Sequence, residues 1–161
     1  MKPSRRLAAT VAVTLFVGTG AAGVALATHG GLHGLFSARG TIDRLHIRDK
    51  QTGLKLRARG PLDVAIVGAQ LDPLGETGWH EHPTESIVSV AVGGPALKVV
   101  VATHGRCIER TFQPGQSFEH PAGPHNFVNT DASAPLNFGV CYFVPVGATL
   151  LTPVAPPEPC A

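Results

Sequence analysis

With 161 residues, the chain is long enough for one domain with a real hydrophobic core. It is 15% charged and carries 19 Gly and 14 Pro, a balance that favours many short strands and tight turns over long helices. Lys2, Arg5 and Arg6 are three of its 13 basic residues. Without them 10 bases face 11 acids, which argues against a nucleic-acid-binding domain.

Those three cations begin a targeting segment. An uncharged run from Leu7 to Thr28 follows, and Ala25-Leu26-Ala27 fits a small-x-small cleavage site, so residues 1–27 read as a signal peptide or a membrane anchor. Ser4-Arg5-Arg6 also resembles the start of a twin-arginine signal. Either route predicts an exported, extracytoplasmic domain, secreted or held to the membrane by residues 7–28. Residues 28–38, rich in Gly with His29 and His33, read as a flexible linker. The basic stretch from Arg39 to Arg59 reads as a solvated face.

From there the chain is strand-like. Leu54 to Arg59 alternates, and Val64 to Leu71 is a continuous apolar run suited to a sheet centre. Ser86–Val92, Ala96–Ala102, Cys107–Phe112, Ser117–His120, His125–Asn129 and Leu136–Pro145 are further strands, with a hairpin turn at His104-Gly105. This pattern predicts an all-β sandwich or barrel over residues 39–152, followed by a Pro-rich tail over 153–161.

Two segments carry the chemistry. In Gly75–Pro83, His80 and His82 have one residue between them, so on a strand both imidazoles share a face about 7 Å apart. His125, in Pro121–Asn129, supplies a third imidazole from another strand, and such a trio can hold a divalent metal. The bland alternative is a barrel whose histidines are hydrogen-bonded in a polar pocket without metal.

These segments resemble the two motifs of the cupin superfamily. Gly75, His80, His82 and Gly93 fill most of the first, and Gly115, Pro121, Gly123, His125 and Asn129 fill the second. The match spans about residues 60–150. The pattern Gly78-Trp79-His80-Glu81-His82-Pro83, with the Cys-ended tail, is similar to small exported bacterial single-domain cupins. The resemblance implies a jelly-roll β-barrel, a small-molecule ligand or substrate, and a divalent ion (Fe, Mn, Ni, Cu or Zn) held by three His and one Glu; a homodimer is a family-level expectation. The chain departs at the carboxylate, because counting back from Gly93 puts Ser86 there, with Glu85 one residue earlier. Glu76 and Glu85 are therefore the candidates for a fourth ligand or proton shuttle. His120 falls on no ligand position and is expected at the barrel mouth or surface. Trp79 is expected to face away into packing, and Asn129 to secure a turn.

An exported chain with Cys107, Cys141 and Cys160 is expected to pair two of them. Cys107–Cys160 is the preferred pairing, because it staples a tail with little else to hold it, and Cys141–Cys160 is the alternative. Two functions fit: a metal-dependent enzyme, or a non-catalytic module that binds or senses a small molecule, with or without metal.

Overall fold

The structure is a computed structural model that describes residues 30–161. The expected leader over residues 1–27, and His29, lie outside the described residues. Among the described residues no helix is long and apolar enough to cross a membrane.

Two five-stranded antiparallel sheets face each other. The first runs in the order β1 (Leu32–Ile42), β4 (Leu62–Leu71), β11 (Leu136–Val144), β6 (Ser86–Val90) and β9 (Ser117–His120). The second runs β12 (Thr152–Pro153), β5 (His80–Glu81), β10 (His125–Asn129), β7 (Leu97–Thr103) and β8 (Arg106–Phe112). Between β1 and β4 the chain forms a separate ribbon of β2 (Leu45–Arg48) and β3 (Lys55–Ala58), which carries much of the basic stretch. From β4 onward the chain crosses repeatedly between the two sheets, which is the jelly-roll arrangement.

The sheets form where side chains alternate. Along β11, Leu136, Phe138, Val140, Tyr142 and Val144 are buried while their neighbours are half-buried, and along β6 Ser86, Val88 and Val90 point inward. These residues meet Leu97, Val99 and Phe127 of the opposite sheet, with Ala65, Ala69 and Leu71 of β4, in one core. At roughly 1.5–3 kcal/mol per fully buried large apolar side chain, this cluster is the main source of stability. The β7–β8 turn has positive φ at both His104 (48°) and Gly105 (70°), the two-residue turn whose twist matches a hairpin.

Residues 32–38, expected as linker, are instead the first part of β1. That strand pairs with β4 from Leu32 opposite Leu71 to Ile42 opposite Leu62. The physical reason lies in β4. One of its edges is taken by β11, and the other would expose a row of unpaired backbone groups if β1 did not cover it. The Phe36 ring occupies the space where a Cβ on residue 68 would stand, so Gly68 is what lets β1 lie close. At the far end Arg39 Nε donates to Asp63 Oδ2 (2.7 Å) and the Thr41 hydroxyl to Asp63 Oδ1 (2.6 Å). The Thr41 hydroxyl, the Gly147 N–H and Arg39 together hold the Asp63 carboxyl down at about 2.

The tail is also structured. Thr152 and Pro153 pair with Glu81 and His80, and the Val154 N–H donates to the Trp79 carbonyl (3.0 Å). Cys107 of β8 is bonded to Cys160, with their Cα atoms 5.2 Å apart, and Cys141 is free and half-buried.

Candidate metal centre

Register places the functional side chains at one level of the barrel. On the first sheet Ser86 lies opposite Tyr142 on one side and His120 on the other. On the second, His80 lies opposite His125. His82 follows β5 directly, its N–H bonded to the Ala122 carbonyl (2.9 Å), which keeps the H-x-H pair in line. The next inward positions on these strands are Val88, Val140, Phe118 and Phe127, so the polar layer rests on an apolar one.

His80, His82 and His125 are buried, and each can offer a ring nitrogen so that the three atoms lie within 4.8 Å of one another. Backbone carbonyls orient all three rings. His80 Nδ1 donates to Gly78 O (2.8 Å), His82 Nδ1 to Leu150 O (2.6 Å), and His125 Nδ1 to Gly123 O (2.7 Å). A carbonyl can only accept, so these bonds fix the protons on Nδ1 and leave the Nε2 lone pairs free, as in metal-ligating histidines. One contact follows from this arrangement. His80 Nε2 and His125 Nε2 stand 2.8 Å apart with two lone pairs facing each other. Such a pair is favourable only with a cation or proton between them. Burial opposes the proton: it depresses His80, brings His82 to about 4, and depresses His125 most of all, with the neighbouring rings adding to the effect on His82 and His125. Neutral imidazoles with free lone pairs, two of them crowded together, fit a divalent metal.

The candidate carboxylates are elsewhere. Glu76 Oε2 accepts from Asn126 Nδ2 (2.6 Å), and Glu76 is not part of the histidine cluster. Glu85 is exposed; it precedes the inward-facing Ser86, so strand alternation turns it outward. Asn129 is fully buried and ties the turns together, donating to Asp72 O and Ala134 O (2.9 Å each) and accepting from the Asp131 N–H (3.1 Å). Trp79 is half-buried.

His120 is not at the surface but has 0% exposure, its ring centroid 3.8 Å from that of His125. It pairs in register with Ser86 and so faces the interior with it. Strand alternation from Phe118 would have found it. Tyr142 was likewise missed: its ring lies 5.0 Å from His82, and burial pushes its phenol well above the usual range. The alternating run from Leu136 carried that signal.

A cavity of about 390 Å³ opens beside the cluster. His80, His82, Thr77 and Tyr142 lie on its wall, and the rest of its lining is mostly apolar, with Phe36, Phe138, Val140 and Leu150 among it. Among the described residues no acid, Lys or Arg lines it.

No protein-family model matches the chain, and no curated protein matches it. Among solved structures it is similar to a cupin domain from Bordetella pertussis, with 25% identity over 50% of this chain and 80% of that one and a TM-score of 0.41. It is similar to the polyketide cyclase RemF of Streptomyces resistomycificus, with 23% identity over 78% of this chain and 77% of that one and a TM-score of 0.44. It is also similar to a recombinant oxalate oxidase in complex with glycolate, with 19% identity over 73% of this chain and 54% of that one and a TM-score of 0.47. The chain thus forms a two-sheet jelly roll into which His80, His82 and His125 converge, in the fold and motif order that its resemblance to the cupins implies.

Proposed function

We propose that the barrel holds one divalent metal ion on His80, His82 and His125 and presents it to a small molecule in the adjoining cavity. The observation that carries this is the pair of opposed Nε2 atoms of His80 and His125, 2.8 Å apart, in rings whose Nδ1 protons are committed to carbonyls. The ligand that suits the cavity has a largely apolar body and one donor group, because the wall offers no Lys or Arg to a second charge. Apart from the histidines, the proton-carrying side chains on that wall are the hydroxyls of Ser37, Thr77 and Tyr142, and among the described residues no carboxylate lines it as a base. This favours a binding or sensing role, or chemistry in which the ion polarises the bound group, over carboxylate-assisted proton transfer. The positive start and uncharged run of residues 1–27 support export.

Elemental analysis of the full chain, purified without an affinity tag rich in His, tests the centre. About one equivalent of Fe, Mn, Ni, Cu or Zn per chain is expected. No metal after reconstitution with each ion overturns it, and the barrel is then a metal-free ligand-binding module.

A further inference from the structure

We infer that His120 is a fourth ligand of the metal centre, taking from β9 the place that the carboxylate holds in the motif this chain resembles. The inference rests on the three-histidine reading and extends it. Ser86 stands at the carboxylate position on β6, and its side chain is too short to reach across the barrel. Its register partner on the adjacent strand is His120. Directly opposed residues on neighbouring antiparallel strands have Cβ atoms about 5 Å apart on the same face, so a longer side chain at 120 reaches the space that a carboxylate at 86 would fill.

The second observation is the state of the ring. His120 has 0% exposure, and among the described residues neither Nδ1 nor Nε2 has a hydrogen-bond partner. His80, His82 and His125 each have Nδ1 committed to a carbonyl. A fully buried imidazole with both nitrogens unsatisfied is costly, and such groups in folded proteins generally have a ligand, an ion or a water to answer to. The Ser86 hydroxyl beside it is also unpartnered. The His120 ring lies 3.8 Å from His125 and 5.6 Å from His82, centroid to centroid, so the four imidazoles are one group. Its ring nitrogens lie outside the tight triad, so ligation calls for a side-chain rotation toward the other three.

Four neutral imidazoles leave the full charge of a divalent ion uncompensated inside an apolar cavity. The centre therefore favours nitrogen-preferring ions such as Zn(II) or Cu(II) and a ligand whose donor group is anionic.

X-ray absorption on the full chain loaded with Zn(II) counts the imidazoles directly. Four in the wild type are expected, falling to three in His120→Phe, whose ring fills the same space, with Zn(II) affinity against a competing chelator lower by at least about tenfold. Three imidazoles in the wild type overturn the inference, as does a His120→Phe variant with unchanged affinity and count. The wild-type count decides the matter even if the variant does not fold. Three imidazoles leave the His80, His82 and His125 reading intact, whereas a wild-type chain that takes up no Zn(II) removes both.

Discussion

At one level of the barrel the inward positions are His80, Ser86, His120, His125 and Tyr142. Two residues along the same strands they are Val88, Phe118, Phe127 and Val140. The backbone is the same in both layers, and the difference is in what the side chains demand. The apolar layer is satisfied by contact alone, with Phe127 2% exposed and in edge contact with Phe138. The polar layer contains every buried side-chain nitrogen or oxygen without a partner among the described residues, on Ser86 and His120, as well as the opposed nitrogens of His80 and His125. The packed layer holds the strands in register, and this keeps the histidine nitrogens of the other layer crowded together.

Perturbing the two layers should therefore have opposite readouts. The largest effect is expected from replacing His80 and His82 together with Ala: stoichiometric metal is lost while the apolar layer keeps the barrel folded. Full metal occupancy by elemental analysis would sink the site. Phe127→Ala should do the reverse, lowering stability by about 3–5 kcal/mol in denaturant titration while sparing metal stoichiometry. A loss under 1 kcal/mol would mean that the packed layer is not what holds the strands.

Cys160→Ser sharpens the comparison at the edge of the polar layer, since it frees the segment behind β12, which pairs with the strand of His80. A loss of about 2–4 kcal/mol is expected, because the bridge closes a loop with a sequence separation of 53. An unchanged thermal midpoint would show the tail to be dispensable.

Acid acts on the histidine layer. Burial holds His82 at about 4 and His120 at about 3 in the fold, whereas unfolded imidazoles titrate near 6.5. Between those values the unfolded chain binds more protons, so stability rises with pH. This contribution is fully present above about pH 6.5 and is lost as pH falls through 4 and 3. Urea midpoints of the metal-free protein that stay flat from pH 7 to pH 4 would contradict it. The smallest effect is expected of Glu85→Gln, which lies outside both layers: stability within about 0.5 kcal/mol and unchanged metal content. A tenfold loss of metal affinity would return Glu85 to the site.

Much of the fold was legible because the strands carry their own signals. The alternation of β11, the apolar run of β4 and the His104-Gly105 turn mark their elements within a residue or two. The convergence of His80, His82 and His125 followed from spacing and from the resemblance. Part of what escaped notice had no local signal or had a misleading one. Gly30, Gly31 and Gly34 give residues 28–38 the composition of a tether, yet from Leu32 they form a strand because β4 offers an edge. Pro153 argues against a strand, yet it closes β5 at a sheet edge, where proline is tolerated. His120 and Tyr142 were missed although alternation from Phe118 and Phe138 points both of them inward.

The segment from Leu150 to Pro153 has a consequence for synthesis. Leu150 provides the carbonyl that fixes the His82 tautomer, and Thr152 and Pro153 provide the outer partner of the two-residue strand of His80. Ribosomes deliver these residues well after both histidine motifs. A nascent chain stalled short of Leu150 already carries both histidine motifs, but His82 lacks its carbonyl acceptor and His80 lies on an unfinished edge, so the rings take their orientation only after this stretch is made.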